Sequence, residues 1–468
     1  MSAYASAGGA GAMAAFRDMM TGEVIVPGSA AYGEARSVFN AMIDRRPAVI
    51  AQCDTVDDVA LALRYGREHG MEIAVRGGGH SVAGMSTSDG GLVVDLRRMR
   101  AAHTDAQRRT VRVEGGATMS DLDRATEPHA LATTGGRVSS TGVGGFTLGG
   151  GSGWLERKFG LACDNLESVE LVTADGDRLR ADESEHSELF WALHGGGGNF
   201  GVATALTFRL HPLPAFTAAL LVWRPEAGRE VVPAYRDFMQ RAPDEVGGGL
   251  LYFTAPPEPF VPDHLVGRLA CAVLVAYAGP EREARAAAKP LLQLLPEGEM
   301  IAELPYADLQ CMLDDPPGLR NYWSAEYLRS FPDEAVERFR ARADDMIIPS
   351  AMQHVVFPQG GAVARGPADY PVPWRRAAWT VHPFGLWEDP ADDARGVGWA
   401  RGVRADMQPW AMGAVNLNFI GREGHDRVVN ALGAQNQARL TAVKTRYDPD
   451  NVFHLNHNIR PSHPVAAA

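Results

Sequence analysis

The sequence has no apolar run long enough to cross a bilayer. Its longest, around Leu269 to Gly279, is about a dozen residues, whereas a spanning helix needs roughly 20. It is also short of positive charge. Lys and Arg total 45 against 57 Asp and Glu, giving a net charge of −12 and a pI near 5.6. The basic footprint that nucleic acid or an anionic membrane demands is therefore missing. The four cysteines, Cys53, Cys163, Cys271 and Cys311, are widely spread with no CxxC pair, which reads as reduced packed thiols rather than a disulfide framework. The 14 histidines form no HExxH and no Cys/His cluster at ligand spacing, so no metal site is expected. The opening residues MSAYASAGGAGAMAAF lack the basic and apolar regions of a secretory leader. We expect a flexible lead-in over residues 1–34 and a cytoplasmic protein.

What the chain has in excess is glycine, 51 of 468 residues, against a usual share of roughly 7%. At 50.3 kDa it is too long for one ordinary core, and two or three packed units are expected. In the first half, helix and strand signals alternate. Thr55 is a natural N-cap for a helix to Glu68, and short strands are expected over 71–75, 91–96 and 110–114. A helix over 118–127 follows, then a hairpin turning at Asp175-Gly176 and a strand over 202–210. At His211-Pro212-Leu213-Pro214 the texture changes to Pro, Trp and charged helical segments, with helices expected over 281–289, 333–345 and 392–408. The domain boundary is placed there, separating 35–212 from 213–445.

The glycines concentrate in three loops: Arg76 to Gly84 (RGGGHSVAG), Gly142 to Gly153 (GVGGFTLGGGSG) and Gly195 to Gly201 (GGGGNFG). Without Cβ atoms, such runs aim consecutive backbone N–H groups into a concave nest that suits a diphosphate. The GxGxxG at Gly196–Gly201 is not a Rossmann fingerprint, because a helix precedes it and a strand follows, the reverse of the required order. No GxxxxGK followed by Ser or Thr is present. Neither Ser81 nor Ser152 sits in a GxSxG elbow, which excludes the common nucleotide-phosphate and esterase readings.

Four ordered stretches resemble the berberine-bridge-enzyme-like FAD-linked oxidases of the vanillyl-alcohol-oxidase type: RGGGHS at Arg76–Ser81, TGVGGFTLGGGSGWLERKFGLACDN at Thr141–Asn165, the loop Gly195–Gly201, and YDPDNVFHLNHNIRP at Tyr447–Pro461. The texture is nearest to the bacterial natural-product branch that includes enterocin polyketide oxygenase-type enzymes. The resemblance implies an α+β fold. A two-subdomain FAD-binding domain over 35–212 would be completed by a segment over 446–468, with an antiparallel-sheet substrate domain backed by helices over 213–445. It implies FAD joined at its 8α-methyl group to His80. Arg76, Gly77, Gly78, Gly79 and Ser81 would then lie around the pyrophosphate, and Gly142, Gly145, Gly149, Gly150 and Gly153 would cradle the rest. Gly201 and Val202 would face the adenine end, and Asn456 and Asn458 would return to the flavin ring. Some members carry a second link from a cysteine; the matching position here is Val138, and Cys163 lies well downstream, so a single link is expected.

The catalytic base departs from the family pattern. Where carbohydrate-oxidising relatives have a tyrosine two residues before an N-F pair, this chain has Asn416, and asparagine cannot accept the proton. Tyr252, Gln353 and His354 are the alternatives on strands expected to line the substrate side. The resemblance implies hydride transfer from a small alcohol-type or secondary-metabolite molecule, apolar or aromatic, with dioxygen as acceptor, and an oxygenase acting on a polyketide-like substrate is one form of this. A carbohydrate oxidase or a dehydrogenase with poor oxygen reactivity is the alternative. A homodimer is compatible with the sequence.

Overall fold

The computed structural model describes residues 7–462 apart from 313, 315 and 317. Its first half is built on two sheets. A four-stranded sheet runs in the order Glu23–Ile25, Val49–Gln52, Leu92–Asp95, Ile73–Arg76. Its last three strands are parallel. The helix Val56–Glu68 covers it, entered through the expected N-cap at Thr55, which forms a capping box with Asp58. A five-stranded antiparallel sheet follows in the order Ala102–Asp105, Thr110–Glu114, Val202–Arg209, Leu166–Val172, Arg178–Ala181. The expected hairpin at Asp175-Gly176 joins the last two, with Gly176 at φ +87° as such a turn demands.

The second half is one antiparallel sheet of eight strands. Seven lie in the order Gly298–Glu303, Thr217–Trp223, Leu269–Tyr277, Val246–Thr254, Gln353–Pro358, Trp379–Trp387, Arg320–Trp323, and the short strand Glu326–Leu328 also pairs with Trp379–Trp387. One face is packed by the helices Gly228–Met239, Glu281–Leu292, Asp333–Ala341 and Asp393–Met407, in a core with Tyr252, Val356, Trp379 and Trp387. The other face, carrying Leu274, Val355, Phe357 and Phe384, turns toward Trp154 and Leu155 of the first half. Alternation along each strand decides which residue belongs to which face.

Two sequence expectations are corrected. Residues 1–34 are not wholly a loose lead-in. Residues 1–6 lie outside the described residues, but Ala7–Met19 is a helix whose Phe16 is buried and stacks on Tyr65 at 4.3 Å, and Glu23–Ile25 joins a sheet. The chain also returns to the first half well before residue 446. Val415, Leu417, Val428, Leu432 and Leu440 are buried in the same core as Val111, Leu171 and Phe208. The apolar faces of the helices His425–Leu432 and Ala434–Tyr447 account for this, since their Val428, Ala431, Leu432, Leu440 and Val443 are buried in that core, while Arg427 reaches Glu326 at the edge of the large sheet. Among the described residues no helix is long and apolar enough to cross a membrane.

A buried lysine fastens that return. Lys444 Nζ donates to Asp448 Oδ2 at 2.6 Å, to the carbonyl of Asn199 at 2.8 Å and to the carbonyl of Phe453 at 2.9 Å. Asp448 in turn accepts from the amides of Val452 and Phe453. Asn199 donates to Gly196 O at 2.7 Å and accepts from the amide of Ile459 at 3.0 Å. One ammonium thus ties the third glycine loop to the C-terminal segment. Replacing it by an apolar group strands Asp448 as a buried, unpaired charge. Lys444→Met is expected to cost about 3–5 kcal/mol of stability, read as a lowered midpoint in chemical denaturation.

Candidate functional site

The three glycine loops converge on one cavity of about 310 Å³, between the two sheets of the first half and the inner face of the large sheet. That size is in the range of ordinary cofactor and ligand sites. The loop after strand Ile73–Arg76 supplies Gly77, Gly78, Gly79, His80 and Ser81, and the short helix Val143–Leu148 with its flanks supplies Gly142, Gly145 and Gly149. The loop before strand Val202–Arg209 supplies Gly195 through Asn199 and Gly201. The C-terminal segment closes the wall with Phe453, Leu455, Asn456 and His457.

The glycines do two different jobs. A Cβ on Gly78 would lie 2.3 Å from the amide nitrogen of Gly142, and one on Gly142 would lie 2.3 Å from that of Gly78. The first two loops therefore touch backbone to backbone. Gly145 and Gly198 are the opposite case: a Cβ there meets no protein atom within 4 Å and would project into the cavity. An elongated anionic group bound by backbone amides fits walls of this kind, and FAD is such a group.

His80 is held firmly on this wall. Its ring stacks on Phe39 with centroids 4.1 Å apart, and its Nε2 lies 2.9 Å from Ser140 Oγ. Burial lowers its pKa to about 4, with Asp314 opposing the shift, so the imidazole is neutral and keeps a lone pair at neutral pH. Asn40 ties this loop to the large sheet, its Nδ2 donating to the carbonyls of Val82 and Asn321 at 2.8 and 2.9 Å. Where the large sheet meets the cavity the wall becomes aromatic, through Trp323, Phe384 and Phe419.

Of the residues anticipated for the cofactor, Gly77, Gly78, Gly79, His80, Ser81, Gly142, Gly145, Gly149, Gly201 and Asn456 are on the cavity wall. The others are not. Arg76 is buried in a pair with its register partner Asp95, 2.7 Å away, so its charge is spent inside the sheet. A Cβ on Gly150 would strike the Trp374 ring at 2.8 Å and one on Gly153 the carbonyl of Gly135 at 1.7 Å; both glycines serve close packing. The Val202 side chain belongs to the core, and Asn458 is off the wall, its buried Oδ1 without a protein partner. Val138 lies on the wall, whereas Cys163 is wholly buried and its thiol pKa is raised by desolvation.

The expected bases are corrected more sharply. Tyr252 and His354 are register partners and point together into the helix-packed side of the large sheet. Tyr252 lies in that core, with its pKa raised by burial. His354 stacks on Phe339, its Nε2 sits 2.8 Å from the Phe339 carbonyl, and burial lowers its pKa to about 3. Asn416 is buried just behind the wall, its Oδ1 accepting from the amide of Asn418 at 3.0 Å. Gln353 alone of the four shares the inner face, as register partner of Phe384. Sequence reasoning passed over Arg137, Ser152, Trp323, Asn418 and Phe419, all on the wall. The NLNF run contained the last two, but nothing in the pattern marked Trp323 or Arg137.

Comparison with known proteins agrees with this geometry. A family of FAD binding domains matches residues 47–182, and the berberine and berberine-like family matches residues 415–460. The chain is 29% identical to the uncharacterized FAD-linked oxidoreductase YgaK of Bacillus subtilis over 94% of its own length and 97% of the relative. It is 40% identical to (R)-6-hydroxynicotine oxidase of Paenarthrobacter nicotinovorans over 44% of this chain and 45% of that protein. Among solved structures, 6-hydroxy-D-nicotine oxidase from Arthrobacter nicotinovorans superposes with a TM-score of 0.83 at 27% identity, covering 95% of this chain and 98% of that one.

Proposed function

The chain belongs to the berberine-like FAD-linked oxidoreductases, and on that premise we propose that it holds FAD covalently through His80 and oxidises an apolar or aromatic alcohol-type small molecule with dioxygen as acceptor. The observation that carries this reading is the neutral His80 imidazole, fixed by Phe39 and Ser140 on the wall of a glycine-lined cavity. When bound, FAD supplies a two-electron acceptor that dioxygen can re-oxidise. The protein's part is to hold and to orient. Backbone amides of the three loops neutralise the diphosphate without lysine or arginine, which suits a chain of net charge −12.

The substrate enters from the large sheet, where Trp323, Phe384 and Phe419 offer flat apolar surface. Those rings favour an aromatic or secondary-metabolite substrate over a sugar, whose hydroxyls would need several polar partners. Gln353, off the cavity wall but beside Phe384 on the inner face, is the remaining candidate to bind the reacting hydroxyl. The oxidase assignment is tested without knowing the substrate. Reduced with dithionite and then exposed to air, the protein is expected to regain its yellow colour within the mixing time and to form peroxide. A reduced form that persists for minutes would assign it instead to the dehydrogenases of the same fold.

A further inference from the structure

The cavity wall carries a single side chain from among Asp, Glu, Lys and Arg at its described positions, and it is Arg137. Its guanidinium lies 4.1 Å from the centroid of Phe357 and 5.0 Å from that of Trp154. Phe357 belongs to the inner face of the large sheet, so the cation sits at the substrate end. Its hydrogen bonds are incomplete. Nη1 donates to Ser152 O at 3.0 Å and reaches Ser152 Oγ at 3.3 Å, and Nη2 reaches Ser152 Oγ and Glu156 Oε1, each at 3.2 Å. Nε has no partner.

Glu156 is only partly satisfied, with Ser152 and the Gly153 backbone also favouring its charged form. Gln359 Nε2 stands 3.4 Å from its Oε1, while its buried Oε2 has no partner. Burial raises its pKa even though Arg137 pulls the other way. A strong Arg–carboxylate pair makes two parallel short bonds; this one makes a single long contact. A largely but not fully buried guanidinium so weakly engaged, stacked on aromatic rings in a cavity with no other Asp, Glu, Lys or Arg on its wall, is set to accept a better anion.

We propose that Arg137 is the anion-recognising residue of the substrate cavity, and that the substrate is an apolar or aromatic molecule bearing a carboxylate that takes the guanidinium over from Glu156. This rests on the proposed oxidoreductase site and adds to it the charge of its substrate. The test is calorimetric binding of benzoate and of its uncharged isostere benzamide to the purified protein. Wild type is expected to prefer benzoate. Arg137→Met is expected to weaken benzoate by about tenfold or more while leaving benzamide little changed. Glu156→Gln, which removes the competing carboxylate, is expected to tighten benzoate. A merely structural role would not produce these opposite signs.

Equal binding of the two probes by wild type would overturn the proposal. So would an Arg137→Met protein that loses both probes alike, or one that loses flavin while keeping the preference. The double variant R137M/E156Q removes both charges together and is expected to bind the two probes equally, which keeps the test decisive if a single variant does not fold. Flavin content, read from the visible spectrum of the same samples, reports separately on the oxidoreductase reading.

Discussion

Precipitated in acid, the wild-type protein is expected to keep its yellow colour in the pellet, and His80→Ala to lose all of it to the supernatant. A bond from the imidazole to carbon needs its free lone pair. A protonated imidazole cannot form a bond to carbon, and burial holds the His80 pKa at about 4, so the ring is neutral through the physiological range. Position comes next, because a free histidine would sweep several rotamers, whereas this ring is clamped between Phe39 and Ser140. His457 is the control. It also lies on the cavity wall, and its pKa is likewise lowered to about 4 by burial, so chemistry alone does not separate the two. The C-terminal segment that bears His457 is positioned by Lys444 and Asn199 rather than by the first glycine loop. His457→Ala is therefore expected to keep the flavin in the pellet, and mass mapping should find it on the peptide containing His80. Colour lost in H457A and kept in H80A would reassign the link.

Two glycine substitutions are expected to fail in opposite ways. In Gly78→Ala the new Cβ meets the Gly142 backbone at 2.3 and 2.7 Å. Neither chain segment can yield cheaply there, since Val143 N is already bonded to Ala117 O and the next loop follows at once. The expected cost is about 3 kcal/mol or more, seen as loss of soluble, folded protein. Gly145→Leu adds far more bulk where no protein atom lies within 4 Å, and leucine favours a helix over glycine by about 0.8 kcal/mol. This variant should fold with unchanged circular dichroism and thermal stability, yet carry no flavin. A yellow G145L protein would mean that FAD does not lie against the helix Val143–Leu148.

The glycine-rich half of the site was legible because its signals are local. Runs at 77–79, 142–153 and 195–201 announce close backbone approach whatever surrounds them, and the capping box at Thr55 or the turn at Gly176 needs only a few neighbouring residues. Which face of the large sheet meets the cavity was not legible, and strand parity explains why. Tyr252 and His354 are paired with each other and face the helices, whereas Phe253 and Gln353, one residue away on the same strands, face inward beside Phe384. A step of one residue flips the face, and that register is set by pairing across the sheet. Arg76 misled for a related reason. Its place in the motif suggested a phosphate ligand, but its opposite number across a parallel pair is Asp95, which no reading of RGGGHS alone could supply.

The lysine clamp has a consequence for how the protein is made. Asn199 and Lys444 are 245 residues apart in sequence, and a ribosome adds about 5–20 residues per second, so roughly 12–50 s pass between their synthesis. Throughout that interval the three glycine loops can exist, but the wall formed by Phe453, Leu455, Asn456 and His457 cannot. Until then both that wall and the part of the first half's core supplied by Val415, Leu417, Val428, Leu432 and Leu440 are missing, so the cofactor can be enclosed only after translation has passed the clamp. Cells starved of riboflavin during expression should accordingly accumulate a cofactor-free form, and later addition of FAD should fill it.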